Sequence, residues 1–369
     1  MSSRRRVPIF DGHNDVLLRL WRRGAPNAVK AFLEGETKGH LDFPKARQGG
    51  FAGGLFAIFV PSTDRVPSAH RSNAAKEAKT EAGENESGAI APLGITLTQA
   101  QRTVFAMSAL AFRMARESKG TLRICRNVED IEQCLDARVL AAVLHIEGAE
   151  AVDQNFEVLE VLHAAGLRSL GPVWSRPNAF GHGVPFRCPA SPDTGPGLTD
   201  LGKALIRTCN ELKILIDLSH LNEQGFWDVA AISDAPLVAT HSNAHAVSPH
   251  SRNLTDRQLA AIRETQGLVG VTFATCYLRS DGGRDADTTA DLILKHVDPV
   301  LEHVGEDGIG FGSDFDGAKM PAGLGSAAEL QTIVRLLRSH GFGERMIGKV
   351  CFKNWLRVLR KTWGPARAP

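Results

Sequence analysis

Five short polar clusters interrupt otherwise apolar sequence, and each carries residue types that bind cations: Asp11-Gly-His-Asn-Asp15, His145-Ile-Glu147, Ser219-His220, Thr240-His241 and Ser313-Asp314-Phe-Asp316. Imidazole nitrogens and carboxylate oxygens suit zinc, and a catalytic zinc site keeps one position open for water. Four such groups would serve one ion. The set His13, Asp15, Glu147, His220 and His241 suits two Zn2+ ions, with Glu147 as the shared carboxylate and a common water made nucleophilic. In an extended strand residues two apart face one side, so His13 and Asp15 are expected to point together and Asn14 away from them. His145 shares a face with Glu147 and reads either as a further ligand or as a hydrogen-bonding support for one. One histidine at a strand end usually means a hydrogen-bonded structural residue. Ligand-type residues at the ends of successive strands point instead to a metal centre.

Two further residues have the chemistry to act beside such a centre. Asp314 is placed to take a proton from an acidified water and pass it to a leaving amine. Asp316 would face the same side one residue pair further on and is the weaker choice. Arg252 lies on the loop after His241, where a planar guanidinium suits a bidentate grip on a substrate carboxylate. His163, His296, His303 and His340 fall in helical patterns and read as surface residues.

These groups can meet only on a scaffold that gathers strand ends. Eight apolar or β-rich runs end in polar residues: Val7 to His13, Leu55 to Val60, Val139 to Ile146, Leu167 to Trp174, Ile214 to Ser219, Leu237 to His241, Leu268 to Phe273 and Ile309 to Asp314. Helical patterns lie near 97–118, 154–165, 199–211, 223–231, 256–264, 288–304, 325–340 and 344–360. This alternation predicts an α/β fold, a (β/α)8 TIM barrel with loop insertions, whose C-terminal strand rim carries the chemistry. Thr255-Asp256-Arg257-Gln258 has the signature of a capped helix start, which leaves His241 to Asn253 on the preceding loop. One domain over 1–369 is expected. A solvated insertion is expected at 61–94, rich in Lys, Glu, Ala, Ser and Gly, and a Pro- and Gly-rich active-site loop at 175–198.

Composition narrows the partners. Lys plus Arg number 43 against 41 Asp plus Glu, a formal charge of +2, so no nucleic-acid or membrane-surface partner is implied. A small-molecule substrate is expected, with at most a second copy of the chain as a homodimer partner. The basic start, Met1-Ser-Ser-Arg-Arg-Arg6, meets Pro8 and Asp11 before any long apolar run, and a cytoplasmic location follows as an expectation. Six cysteines are scattered without a CxxC pair and read as reduced structural residues.

Taken together, Phe10-Asp-Gly-His-Asn-Asp15, His145-Ile-Glu-Gly148, Asp217-Leu-Ser-His220, Thr240-His-Ser-Asn243, Ser251-Arg-Asn253 and Gly312-Ser-Asp-Phe-Asp-Gly317 resemble the membrane (renal) dipeptidase family of zinc peptidases, as a bacterial-type member, within the amidohydrolase-like metal-dependent barrels. The resemblance implies two zinc ions, with His13 and Asp15 on one, His220 and His241 on the other, and Glu147 between them. It also implies cleavage of dipeptides, some with a D-residue at the C-terminal position, with Arg252 holding the C-terminal carboxylate and Asp314 handling protons. The family usually has a histidine after the fourth strand to hold the scissile carbonyl oxygen. Ungapped counting from Glu147 puts Trp174 there, and an indole offers one N–H and no basic nitrogen. His182, on the following loop, is the candidate for the missing donor. This departure keeps a second substrate class in view, N-acyl amino acids, β-lactams or lactones hydrolysed on the same scaffold.

Overall fold

Runs of apolar residues with no polar alternation can pair only where both faces are covered, and the strands here obey that rule: every residue of Leu140–Glu147 is buried. The computed structural model describes residues 6–24, 27–62, 95–285 and 287–365. Among them are nine strands: β1 (Ile9–Asn14), β2 (Phe51–Phe59), β3 (Leu122–Ile124), β4 (Leu140–Glu147), β5 (Leu167–Gly171), β6 (Leu215–Ile216), β7 (Val238–Ala239), β8 (Leu268–Val271) and β9 (Ile309–Phe311). Eight of them pair in the order β6-β5-β4-β2-β1-β9-β8-β7, and a parallel bridge between Asp217 and Val238 joins the two ends. The expected (β/α)8 barrel is therefore present, nearly closed, with all strands parallel.

β3 was not expected. It pairs with Leu140 to Ala142 of β4, and β5 takes over the same edge from Leu144 to Glu147. Helices at Val16–Arg23, Asn27–Glu34, Phe43–Gly49 and Val128–Ala137 were also missed. They span only 7 to 10 residues, too few turns for a periodic apolar stripe to stand out. Capping chemistry was the more reliable guide. Thr255 Oγ1 accepts from the Gln258 amide and Gln258 Oε1 accepts from the Thr255 amide, so the helix Asp256–Glu264 starts where the capping signature placed it.

Two apolar layers hold the barrel. One lies between strands and helices; the other collects Phe10, Leu55, Val143, Leu215, Val238 and Leu268 around Trp355 of the C-terminal helix Asn354–Trp363. A Cβ on Gly12 would lie 2.2 Å from the Trp355 ring and one on Gly310 2.6 Å from it, so these glycines make room for the indole. Trp355 Nε1 donates to the Phe311 carbonyl, which satisfies its one polar atom.

Residues 175–198 form no helix or strand beyond isolated bridges. The segment is moored beside the ends of β6 and β7: the Val184 amide donates to the His220 carbonyl and the Ser251 amide to the Arg187 carbonyl. Of the solvated insertion expected at 61–94, residues 63–94 lie outside the described residues. No described helix is long and apolar enough to cross a membrane.

Candidate metal centre

Glu147 closes β4, and its Oε1 lies 2.8 Å from His220 Nε2, 3.6 Å from His241 Nε2 and 3.7 Å from His13 Nε2. His13 Nε2 is in turn 3.5 Å from Asp15 Oδ2. Of three triplets among the described residues with ligand-type atoms within 4.8 Å of one another, two are Glu147 with His220 and His241, and His13 with Asp15 and Asp314. All six residues are buried at the C-terminal ends of β1, β4, β6, β7 and β9.

Local backbone irregularity aims several of them. Asp11 pairs with Gly54 and Asn14 with Phe56, so three residues of β1 cover two of β2. Such a bulge re-aims side chains. It lets Gly12 sit against Trp355 while the His13 ring stacks on His241 with centroids 3.8 Å apart. Asp15 lies past the strand, as the first residue of the turn into Val16–Arg23. His13 and Asp15 thus meet through a bulge and a helix start, and strand alternation, which was the expected route, is not the cause. At β9, Asp314 and Asp316 both adopt left-handed backbone, φ 61° and 68°, a conformation that is uncommon outside glycine and asparagine-like residues. Asp314 turns toward His13 and Asp15. Asp316, expected to face the same way, turns to the His40 amide at 2.6 Å and to Arg19 Nε at 3.0 Å, and so is structural. Gly317 completes the pocket, since a Cβ there would lie 2.1 Å from Asp15 Oδ2 and 2.4 Å from Asp314 Oδ1.

The electrostatics divide the centre. Burial opposes the His13 imidazolium, yet Glu147, Asp15 and Asp314 together raise it to about 10. Burial and the neighbouring Asp15 raise Asp314 to about 7, and burial raises Glu147 well above the carboxylate range. A dry pocket with this much negative charge holds protons because it needs cations. His220 and His241 are pushed the other way, well below 6.5, by burial and by the neighbouring Arg252 and His13 cations. Their Nδ1 atoms meet Ser175 Oγ at 2.8 Å and Thr240 Oγ1 at 2.9 Å, which turns both Nε2 atoms toward Glu147. Two imidazole ε-nitrogens 3.0 Å apart beside a carboxylate, with both nitrogens of His13 buried and unpartnered among the described residues, suit a cation better than they suit one another.

Residues 3–367 match the family model described as Membrane dipeptidase (Peptidase family M19). The chain belongs to this family. A metallopeptidase from Rhodobacter sphaeroides, solved with a phosphinate mimic of the dipeptide L-Ala-D-Ala, is 49% identical, with a TM-score of 0.88 over 97% of this chain and 100% of that one. The metallopeptidase dipeptidase AC is 47% identical, with a TM-score of 0.89 over 98% and 100% of the two chains. A protein encoded in the PQQ-III 3′ region of Acinetobacter calcoaceticus is 46% identical over 300 residues, 81% of this chain and 91% of that one. The chain is accordingly a metallodipeptidase, and the buried His, Asp and Glu clusters are where it could hold metal.

The other residues singled out in the sequence take varied positions. Arg252 is buried and stacked over Tyr277 at 5.3 Å. Its Nη1 donates to the Ser219 carbonyl and to Ser242 Oγ, and its Nη2 donates to the His241 carbonyl at 3.1 Å and faces His220 Nε2 at 3.4 Å. Only Nε is buried without a partner. Trp174 lies 5.8 Å from the His220 ring, between Phe59 and Phe186, with Arg176 over its face at 5.2 Å. His182 donates from Nδ1 to the Gly197 carbonyl at 3.2 Å, so the neutral ring has no N–H left for a substrate oxygen. His145 bonds Ser169 Oγ at 2.9 Å and is lowered to about 4 by burial. His296, read as a surface residue, is fully buried and bonds the Ala244 amide and the Leu278 carbonyl.

Two residues were overlooked as site builders. Asp11 accepts from the Ser313 amide and hydroxyl, tying β1 to β9, and Asp217 ties β6 to β7 through Ser219 and Thr240. Their signal is an aspartate set two or three residues before a candidate ligand, as in Asp11-Gly-His13 and Asp217-Leu-Ser-His220.

Proposed function

We propose that the chain is a two-zinc dipeptidase that hydrolyses the peptide bond of free dipeptides, including those with a D-residue at the C-terminal position. The observation that carries this reading is Glu147 Oε1 lying within 3.7 Å of three imidazole ε-nitrogens, with Asp15 and Asp314 crowding one of them. His13 and Asp15 would hold one ion and His220 and His241 the other, with Glu147 shared. When bound, such a pair supplies Lewis acidity that acidifies a shared water and polarises the scissile carbonyl.

The chain's own groups do the rest. Asp314 takes the proton of the attacking water on its carboxylate and delivers it to the leaving nitrogen, a role that its place beside His13 and Asp15 allows. Arg252 is confined by the Ser219 carbonyl and Ser242 hydroxyl at Nη1 and by the His241 carbonyl at Nη2. Its Nε–H and the Nη2–H that faces His220 Nε2 lie on the opposite edge, which becomes a two-donor grip for a substrate carboxylate once that nitrogen is otherwise engaged. Trp174 walls the mouth and excludes water beside His220. The dipeptide mimic held by the Rhodobacter sphaeroides relative supports the substrate class, and its D-alanine moiety supports the stereochemical breadth.

The test is a panel of L,L- and L,D-dipeptides presented to zinc-loaded protein at neutral pH beside N-acyl amino acids, β-lactams and lactones. Dipeptide cleavage with two zinc ions per chain is expected. Turnover confined to N-acyl amino acids, β-lactams or lactones would replace the peptide reading with the second substrate class, which Trp174 at the mouth favours.

A further inference from the structure

Asp217 follows β6, is 3% exposed, and accepts four hydrogen bonds from its neighbours. Its Oδ1 accepts from the Ser219 amide at 3.0 Å, Ser219 Oγ at 2.6 Å and the Thr240 amide at 2.9 Å, and its Oδ2 accepts from Thr240 Oγ1 at 2.6 Å. A hydroxyl has one proton, and here both hydroxyl protons are spent on Asp217. Ser219 Oγ therefore accepts from the His241 amide at 3.0 Å, and Thr240 Oγ1 must accept from His241 Nδ1 at 2.9 Å. His241 is held with its hydrogen on Nδ1. Its Nε2, 3.6 Å from Glu147 Oε1, is left as a bare lone pair.

We propose that Asp217 is a positioning residue of the metal centre, acting through Thr240 to set the tautomer and aim of His241. An alternative role as ligand is suggested by its oxygen lying with the His13 and His241 nitrogens inside 4.8 Å. The hydrogen bonds favour the positioning role, because two hydroxyls and two amides already fix this carboxylate between Ser219 and Thr240. The same carboxylate faces His145 Nε2 at 3.6 Å, so it lies beneath two imidazoles of the site. A hydroxyl between carboxylate and imidazole transmits orientation as a direct carboxylate partner does.

The inference rests on the metal-centre reading above, and the experiment separates the two. Thr240→Val keeps the shape and removes the hydroxyl, Thr240→Ser restores it, and Asp217→Asn keeps the volume while replacing an acceptor with a donor. Zinc affinity is read by competition with a chromophoric chelator, and the His241 tautomer by imidazole 15N shifts in the metal-free protein. Thr240→Val and Asp217→Asn are expected to weaken zinc about 10- to 100-fold and to lose the single Nδ1–H form, with Thr240→Ser within about threefold of wild type. Wild-type affinity and an unchanged tautomer in Thr240→Val overturn the relay alone, as does Thr240→Ser failing as badly as Val. Wild-type protein that holds no zinc overturns the metal-centre reading and the relay with it.

Discussion

On the β1 and β9 side of the centre, His13, Asp15 and Asp314 come from a bulge, a helix start and a left-handed turn, whereas on the β6 and β7 side His220 and His241 lie in the turns just past two short strands, each backed by a hydroxyl. The first side crowds negative charge until His13 and Asp314 retain protons; the second keeps its imidazoles neutral beside Arg252. The carboxylate side therefore creates the demand for cations, and the imidazole side supplies direction to the bond. Backbone strain and repulsion are tolerated where they raise affinity for positive charge, and a hydrogen-bond scaffold is used where aim matters.

That division predicts unequal consequences when each side is damaged. The largest effect on turnover with the least on metal content is expected from Asp314→Asn, which removes proton transfer but little volume: kcat should fall about 10²- to 10⁴-fold with zinc retained. Turnover like wild type would remove Asp314 from the reaction. Next, Gly317→Ala would drive a methyl into positions 2.1 Å from Asp15 Oδ2 and 2.4 Å from Asp314 Oδ1. Activity should drop about 100-fold, the cost of misplacing reacting groups by about 1 Å, while the His241 tautomer stays as in wild type. Equal disturbance of the His241 signals would show that the two sides are not separate. A smaller effect is expected from Arg252→Lys, which keeps the charge and loses the planar edge. KM for dipeptides with a free carboxylate should rise about tenfold and that for C-terminal amides should change little. An equal rise for both would take the carboxylate grip away from Arg252.

Much of this contrast was legible in sequence, and the part that was not has a common cause. Apolar runs ending in His13, Glu147, His220, His241 and Asp314 mark strand ends because burial and polarity change together there, and parallel pairing then brings them to one rim. What could not be read is which partner each polar group meets across the barrel. Asp316 looks equivalent to Asp314 until Arg19 and His40 turn it away, and Arg252 looks like a free loop cation until the Ser219 and His241 carbonyls claim it. Asp11 and Asp217 bond residues 302 and 23 positions away, and no local pattern encodes that. The β1 bulge is also silent, since an extra residue changes register without changing composition.

The smallest effect is the pH dependence of the metal-free protein, and it isolates the carboxylate side. Asp314 is raised from 3.8 to about 7 and His13 from 6.5 to about 10, so the folded chain holds protons that the unfolded chain has released. Stability from such groups is complete below the unfolded value and is lost as pH rises through the folded value. His220 and His241, lowered from 6.5, act oppositely: their cost is felt below 6.5 and has vanished above it. Buried thiols such as Cys209, raised from 9.0 to about 12, contribute only at higher pH. Between pH 7 and about 8.5 the carboxylate side is thus the part of the centre that is still titrating, and the Tm of metal-free protein should fall by a few degrees. Zinc-loaded protein should show a flatter profile, because metal charge replaces the protons that His13 would otherwise give up. A metal-free Tm that rises across this window would mean that the field at His13 is not governed by Glu147, Asp15 and Asp314, and the contrast between the two sides would lose its electrostatic basis.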